Sequence, residues 1–378
     1  MSIAKKDAVS RRKVLGTGAA LGVAGVAAPA IMKKALSSSG EINVLMWSDY
    51  LPDDYIVNFE RATGITVNYT GIGSNEEIIN KMKANKGQGF DIVSPTNNRN
   101  LQWQPLELVL PFDMNRVPID RVNPAMAQIG PTAWGFNGGV NWLPHIWGTE
   151  GIGWRTDFWA PAGAAPSYGD VWAEENAGKT MGRPHSMMLG AGLYMETVGE
   201  LDPGSMWAAY KDPDKMREVW EKVTAWCVDR KNRIKILWND ADTQKNALLN
   251  EGVIVGQTWD GPPMALKNEG EPIMYQAPEE GSMAWVDGMA MPIGAENIDQ
   301  IYAFIDYAYQ PEPAGKAIDE HGYNSPVIGA DKFAGAQYKK NFAEAYPGDS
   351  LAKLNPWPAE APWYAEIRTE YRNRFVNA

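Results

Sequence analysis

The sequence predicts an α/β fold built in two lobes. Three observations carry this. Strand and helix patterns alternate from Ile42 to Val93, the rhythm of a doubly wound α/β lobe. The 348 residues after position 30 exceed what one hydrophobic core usually serves. Two later apolar stretches, Ile146 to Trp154 and Ala284 to Pro292, read as strands able to cross from one lobe to the other.

The elements follow in order. Ile42 to Trp47 is a buried strand, stopped by the turn-prone Ser48-Asp49. Pro52-Asp53-Asp54 opens a helix to about Ala62, with proline early, acids in the first turn, and Ile56 and Phe59 on one face. Gly64 ends it, and Ile65 to Tyr69 is the second strand. Ser74 can cap a second helix to about Ala84, with Ile78, Ile79 and Met82 inward. Phe90 to Val93 is a third strand. Residues 155–250 carry Pro/Gly-rich loops and then a long amphipathic helix around Asp214–Val228. Val253-Ile254-Val255 is a short buried strand, a helical pattern returns at Ile298–Tyr309, and the C-terminal tail is charged and aromatic.

The N-terminus carries a separate message. Ser10-Arg11-Arg12-Lys13-Val14-Leu15 precedes an uncharged, Ala/Gly-rich run to Met32, the pattern of a twin-arginine export signal. Ala28-Pro29-Ala30 offers a small-x-small cleavage site. The run holds Gly16, Gly18, Gly22, Gly25 and Pro29, so its apolarity is marginal for a membrane anchor. The expectation is a cleaved signal over 1–30 and a protein that works in the periplasm after crossing the membrane folded.

Charge and composition narrow the function classes. The chain has 35 basic and 46 acidic residues; without the five basic residues and one acid of the signal, 30 and 45 remain, a net charge of −15. That balance argues against nucleic acid and against anionic membrane surfaces. Cys227 is the only cysteine, so no intrachain disulfide or Cys-based metal cage exists, and its helical setting points to a buried structural thiol. Sixteen Trp and fifteen Tyr are heavy usage. Most must be packing, with about a quarter of the tryptophans available to a site that needs flat, electron-rich faces.

Familiar catalytic motifs are missing: no Gly-x-Ser-x-Gly elbow, P-loop, dinucleotide turn or His-Glu-x-x-His. His145, His185 and His321 are too scattered to propose a metal site. Asp240 and Asp242 share a fragment of a calcium loop but lack its glycine and distal glutamate, and read as a solvated turn. Nothing supplies haem, iron–sulfur or flavin ligation. The expectation is no enzyme, no cofactor and no metal. An exported enzyme, or a structural or adhesion protein, are the competing classes.

A resemblance covers nearly all of the mature chain in order. Val44-Leu45-Met46-Trp47-Ser48-Asp49-Tyr50-Leu51-Pro52 resembles the opening of bacterial spermidine/putrescine-binding proteins, the periplasmic receptors of ABC importers. The similarity continues through Phe59 to Val67, Ser74-Asn75-Glu76, Phe90 to Val93 and Ile146-Trp147-Gly148-Thr149. It resumes at Trp259-Asp260-Gly261 and Ala284 to Pro292, and ends near Gly322-Tyr323-Asn324-Ser325-Pro326. It implies a two-lobed periplasmic-binding-protein fold of type II kind, with ligand closed between lobes joined by a multi-strand hinge. The implied lobes are 41–147 plus 286–325, and 148–285 plus 326–378.

The resemblance also implies site residues. Trp47 and Tyr50 match the first-lobe aromatics, and Ser48 the small hydroxyl residue beside them. Trp259 and Trp285 match two cleft tryptophans, Asp287 a carboxylate, and Tyr323 a tyrosine of the last hinge region. Aromatic faces hold ammonium or methylene groups, and a buried carboxylate fixes the charge. Two departures stand out. Where the family has Pro-Ser-Thr-Tyr, this chain has Ser94-Pro95-Thr96-Asn97-Asn98, which places Thr96 and Asn97 among the candidates. Where polyamine binders carry closely spaced acids, this chain has Met181-Gly182-Arg183-Pro184-His185-Ser186-Met187-Met188, with no acid. Arg183 or His185 would repel a distal ammonium and welcome a carboxylate. The expected ligand is therefore an onium zwitterion, a betaine-like quaternary ammonium compound or dimethylsulfoniopropionate. The alternative is a polyamine, with Arg183 and His185 turned away and acids such as Asp260 serving it. The expected partners are that small molecule and a membrane ABC permease, for a monomeric receptor.

Overall fold

The computed structural model describes residues 40–136 and 138–378; the twin-arginine run and the cleavage site lie outside them. The chain opens with strand β1 (Glu41–Trp47), helix α1 (Asp53–Thr63), strand β2 (Thr66–Ile72), helix α2 (Asn75–Ala84) and strand β3 (Ile92–Val93). The three strands form a parallel sheet in the order β2-β1-β3. Local signals act as the sequence suggests. Gly64 closes α1 at φ +76°, where a side chain would be strained. The Ser74 side chain accepts from the Glu77 amide at the start of α2. Tyr55 and Phe59 are the buried face of α1, with Ile56 only half-buried beside them.

A seven-stranded mixed sheet makes up most of the rest of the framework, and Val109–Leu110 pairs with Met291–Pro292 in a third sheet of two strands. Its spine is the 13-residue strand Leu143–Arg155, far longer than the apolar run Ile146–Trp154 suggested. Met283–Met289 pairs antiparallel along its first half, and Val255–Trp259 along its second. Thr180–Gly182 and Ile234–Leu237 extend the sheet in parallel beyond Val255–Trp259. The short strand Asn355–Pro356 borders the other side, and Ile273–Gln276 also pairs with the spine.

The hydrophobic core divides into two large clusters. The first gathers the β1–β3 sheet, its helices and the helix Ile298–Ala308, and continues through Met181, Trp238 and Trp259 to Ala241, Ala247 and Leu248 of the helix Ala241–Asn250. The second gathers the helices Pro184–Thr197 and Pro213–Asp229 and the C-terminal helix Pro362–Asn377. Cys227 is fully buried in the second cluster.

Several expectations change. The strand read at Val253 begins at Val255. Asp240 does not sit in a free turn; it caps the helix Ala241–Asn250, its Oδ1 accepting from the Thr243 amide at 2.7 Å. The loop-rich span 155–250 contains a 14-residue helix, Pro184–Thr197, with ten of its residues buried. Buried nearly all round, it shows no amphipathic period. The C-terminal segment is likewise a packed helix rather than a tail.

Candidate functional site

Both parallel portions of the fold turn the carboxyl ends of their strands toward one cavity. Trp47 ends β1, with Asp49 and Tyr50 in the turn after it, and Thr96, Asn98 and Arg99 follow β3. Arg183 follows the strand Thr180–Gly182, and Trp259 ends the strand Val255–Trp259. Ligand crevices of open α/β sheets form outside such carboxyl ends. Trp285 and Asp287, two residues apart, point the same way from the crossing strand Met283–Met289. Tyr323 precedes Asn324, which bridges to Trp147 on the spine. Asn75, His185 and Trp357 complete the lining.

The rings form a connected box. Trp47 and Trp259 meet edge to face at 5.8 Å between centroids. Tyr50 lies nearly parallel to Trp285 at 6.4 Å, and Tyr323 meets Tyr50 at 5.4 Å and Trp285 at 5.6 Å. Trp238 buttresses Trp259 from behind at 4.9 Å. Trp47 is fixed by donating its indole N–H to the Ser94 carbonyl at 3.1 Å. Such faces attract cations, and their burial strengthens the attraction.

Carboxylates sit at one part of this box. Tyr50 donates to Asp287 Oδ2 at 2.5 Å, while Oδ1 is buried with no protein partner. Burial pushes the Asp287 carboxyl up to about 7. Asp49 Oδ2 is also buried with no hydrogen-bond partner, and burial, opposed by the nearby Tyr323 hydroxyl, pushes this carboxyl up to about 6. A cation brought against either carboxylate would supply a partner and restore the charged form.

Basic side chains occupy much of the rest. The Arg183 guanidinium carbon lies 5.2 Å from the Trp259 ring centroid, and Nη2 donates to the Gly73 carbonyl at 3.3 Å. Arg183 makes no ion pair with any described carboxylate within 4.0 Å. Burial lowers its affinity for protons, opposed by the more distant Glu150 and Glu76. His185 packs 6.2 Å from Trp357, and burial beside Arg183 keeps it neutral.

Nine of the eleven residues chosen from sequence therefore line one cavity: Trp47, Tyr50, Thr96, Arg183, His185, Trp259, Trp285, Asp287 and Tyr323. Two do not. Ser48 is exposed and lies over Gly71, where a Cβ would come within 3.0 Å of its side chain. Asn97 braces the site from outside; its Oδ1 accepts from the Val286 amide at 3.1 Å. Asp260, the acid held in reserve for a polyamine, is not part of the lining. It accepts from Tyr346 and Asn324 at 2.9 Å each, behind Trp285. Five lining residues escaped the sequence reading: Asp49, Asn75, Asn98, Arg99 and Trp357. Asp49 was legible as the acid of Trp-Ser-Asp-Tyr. Trp357 arrives from the far end of the chain, with no local signal.

The pattern of a bacterial extracellular solute-binding protein family matches residues 54–343, most of the chain. The chain belongs to that family. It is similar to a spermidine/putrescine-binding periplasmic protein of Haemophilus influenzae, 24% identical over 330 residues, covering 86% of each chain. A putrescine-binding periplasmic protein of Escherichia coli is 25% identical over 340 residues, covering 87% of this chain and 89% of that one. Among solved structures, a spermidine/putrescine ABC transporter protein from Listeria monocytogenes superposes with a TM-score of 0.73 at 20% identity. It covers 89% of this chain and 99% of that one. The fold is thus the two-lobed periplasmic-binding-protein fold that the sequence suggested.

Proposed function

We propose that this protein is the periplasmic receptor of an ABC importer and that it captures a small onium zwitterion. Family membership and the periplasmic relatives support the receptor reading. The ligand would place a quaternary ammonium or sulfonium group among Trp47, Tyr50, Trp259, Trp285 and Tyr323, against Asp287. Its carboxylate would face Arg183. Betaine-like compounds and dimethylsulfoniopropionate have this form. The receptor delivers its ligand to a membrane permease by lobe closure, with no covalent step.

Arg183 carries the zwitterion reading. A guanidinium in a largely desolvated cavity, with no carboxylate within ion-pair distance, is suited to an anionic ligand group. A second cation end to end with it would meet repulsion. The test compares a betaine with its methyl ester by calorimetry. The wild type should bind the acid more tightly by tenfold or more, about 1.4 kcal/mol, since charge-assisted hydrogen bonds are lost in the ester. Arg183→Ala should remove most of that difference.

The polyamine reading has its own support: the relatives' names, and the two carboxylates Asp49 and Asp287 in one cavity. On that reading Arg183→Ala leaves binding unchanged or improves it. Tight spermidine binding without response to betaines or dimethylsulfoniopropionate would reject the zwitterion and keep the receptor. Turnover of a substrate with no binding of any organic cation would reject the receptor itself.

A further inference from the structure

We propose that Glu360 and Arg368, neither of which lines the cavity, are positioning residues that latch the two hydrophobic cores together beside it. Four side chains form a closed ring of charge. Arg99 Nη1 donates to Glu360 Oε2 at 2.5 Å and lies 3.3 Å from Glu76 Oε1. Arg368 Nη2 donates to Glu76 Oε1 at 2.5 Å, and its Nη1 lies 3.3 Å from Glu360 Oε2. Two cations and two anions cancel. Glu360 is fully buried, Arg99 and Arg368 are 5% exposed, and Glu76 closes the ring at the surface.

The members come from different cores. Glu76 lies in the first turn of α2, whose Ile78, Ile79 and Met82 pack in the first cluster. Arg99 leads into the turn bearing Trp103 of the same cluster. Arg368 lies on the C-terminal helix, whose Tyr364, Ile367, Tyr371 and Phe375 pack in the second cluster. The backbone is strapped at the same place: the Glu360 amide donates to the Asn98 carbonyl at 2.8 Å, and Gln102 Nε2 donates to the Glu360 carbonyl at 3.3 Å.

The same contacts shape the site. Asn98 and Arg99 line the cavity from one side of the ring, and Trp357, three residues before Glu360, lines it from the other. Asn97 holds the Val286 amide, and Thr96 pairs with Asp287. Parting the cores would break the ring and, because Trp357 packs against both, disturb its place in the cavity. A buried ion ring adds little net stability over apolar packing, because its charges must be desolvated. It does suit a fastening that opens, since all four charges regain water when the cores separate. Removing one member leaves a buried charge unpaired in the closed form only, which shifts the balance toward open.

The test uses Glu360→Gln, Arg368→Met and the double variant, with Glu76→Gln as a half-exposed substitution that spares the buried positions. Calorimetry with glycine betaine, dimethylsulfoniopropionate and spermidine is combined with X-ray scattering of the ligand-free proteins. Each single variant should bind the preferred probe about tenfold or more weakly and scatter as a more open particle. The double variant should bind better than the additive loss predicts, because the remaining Arg99–Glu76 pair is balanced. Single variants within about twofold of wild type, or strictly additive losses, overturn the latch. Should the Glu360 variant fail to fold, Glu76→Gln decides on the same readouts. If the wild type binds none of the probes, the ligand reading falls. The latch then stands on a larger radius of gyration in the variants and falls on identical profiles.

Discussion

At the scale of residues, the site sets stability against binding. Asp287 is 3% exposed, and burial pushes its carboxyl up to about 7 against an ordinary 3.8. A carboxyl raised on folding stabilises the folded state below its unfolded value and loses that contribution as pH rises through the folded value. The ligand-free protein should therefore pay for Asp287 progressively between about pH 4 and pH 7. Asp287→Asn, which keeps an acceptor for Tyr50, is expected to raise ligand-free stability at pH 8 by about 1–3 kcal/mol. The same variant should lose onium binding. Thermal melts of both proteins from pH 4 to pH 8 check the sign, and a difference that does not grow with pH would reject it. The rings bear a separate prediction. Alanine at Trp47, Trp259 or Trp285 should each weaken ligand binding by about 1–3 kcal/mol. Near-wild-type affinity in all three would make these rings packing only. Four of the sixteen tryptophans line the cavity; Trp47, Trp259 and Trp285 were legible from motif order rather than from composition, and Trp357 was not. Trp103, Trp134, Trp142, Trp172, Trp220 and Trp238 are equally aromatic and wholly buried in cores.

At the scale of elements, the crossing strands place the box. The spine Leu143–Arg155 and its partner Met283–Met289 run so close that Gly148 has no room for a side chain. A Cβ there would meet Asp260 Oδ1 and Trp285 Cζ2 at 2.5 Å each. Gly148→Ala is expected to push the Trp285 ring toward the cavity and cut ligand affinity by about tenfold or more, with the fold retained. Circular dichroism with calorimetry reads both halves, and unchanged affinity would show that the strands relax around the methyl. Elements were legible in sequence where local chemistry spoke: Pro52, Gly64 and Ser74 mark the ends of α1 and α2, and the apolar runs mark β1 and β3. The helix Pro184–Thr197 was not, because tertiary burial on nearly every face erases the periodicity that would reveal it. That helix carries His185 in its first turn, so the chemistry of the second side of the site was visible while its scaffold was not. The C-terminal helix hid for the opposite reason. Its exposed charges read as a tail, although Tyr364, Ile367, Tyr371 and Phe375 tie it to the second core.

At the scale of the molecule, the little-exposed rings point to motion on ligand entry. The rings and carboxylate that would hold the ligand are nearly sealed: Trp47 is 5% exposed, and Trp259 and Trp285 are 7% exposed. The two walls are joined by the crossing strands Leu143–Arg155 and Met283–Met289, by the Trp47–Trp259 contact inside one apolar cluster, and by the ion ring at Glu360. Lobe opening about those strands would expose Trp47 and Tyr50 on one side and Arg183 and Trp259 on the other. Ligand contacts from both sides would then favour the closed state by exactly the affinity difference between the two states, and a shift from mostly open to mostly closed needs only a few kcal/mol. Small-angle scattering should accordingly find a more compact particle at saturating ligand than without it. The Trp47→Ala and Trp259→Ala proteins, which lose contacts on opposite sides, should each need more ligand to reach the same compact form. Identical profiles with and without saturating ligand, for a protein shown by calorimetry to bind it, would mean that closure precedes binding. Access would then depend on rare opening of an already closed particle, and binding should be slow and independent of ligand concentration at saturation.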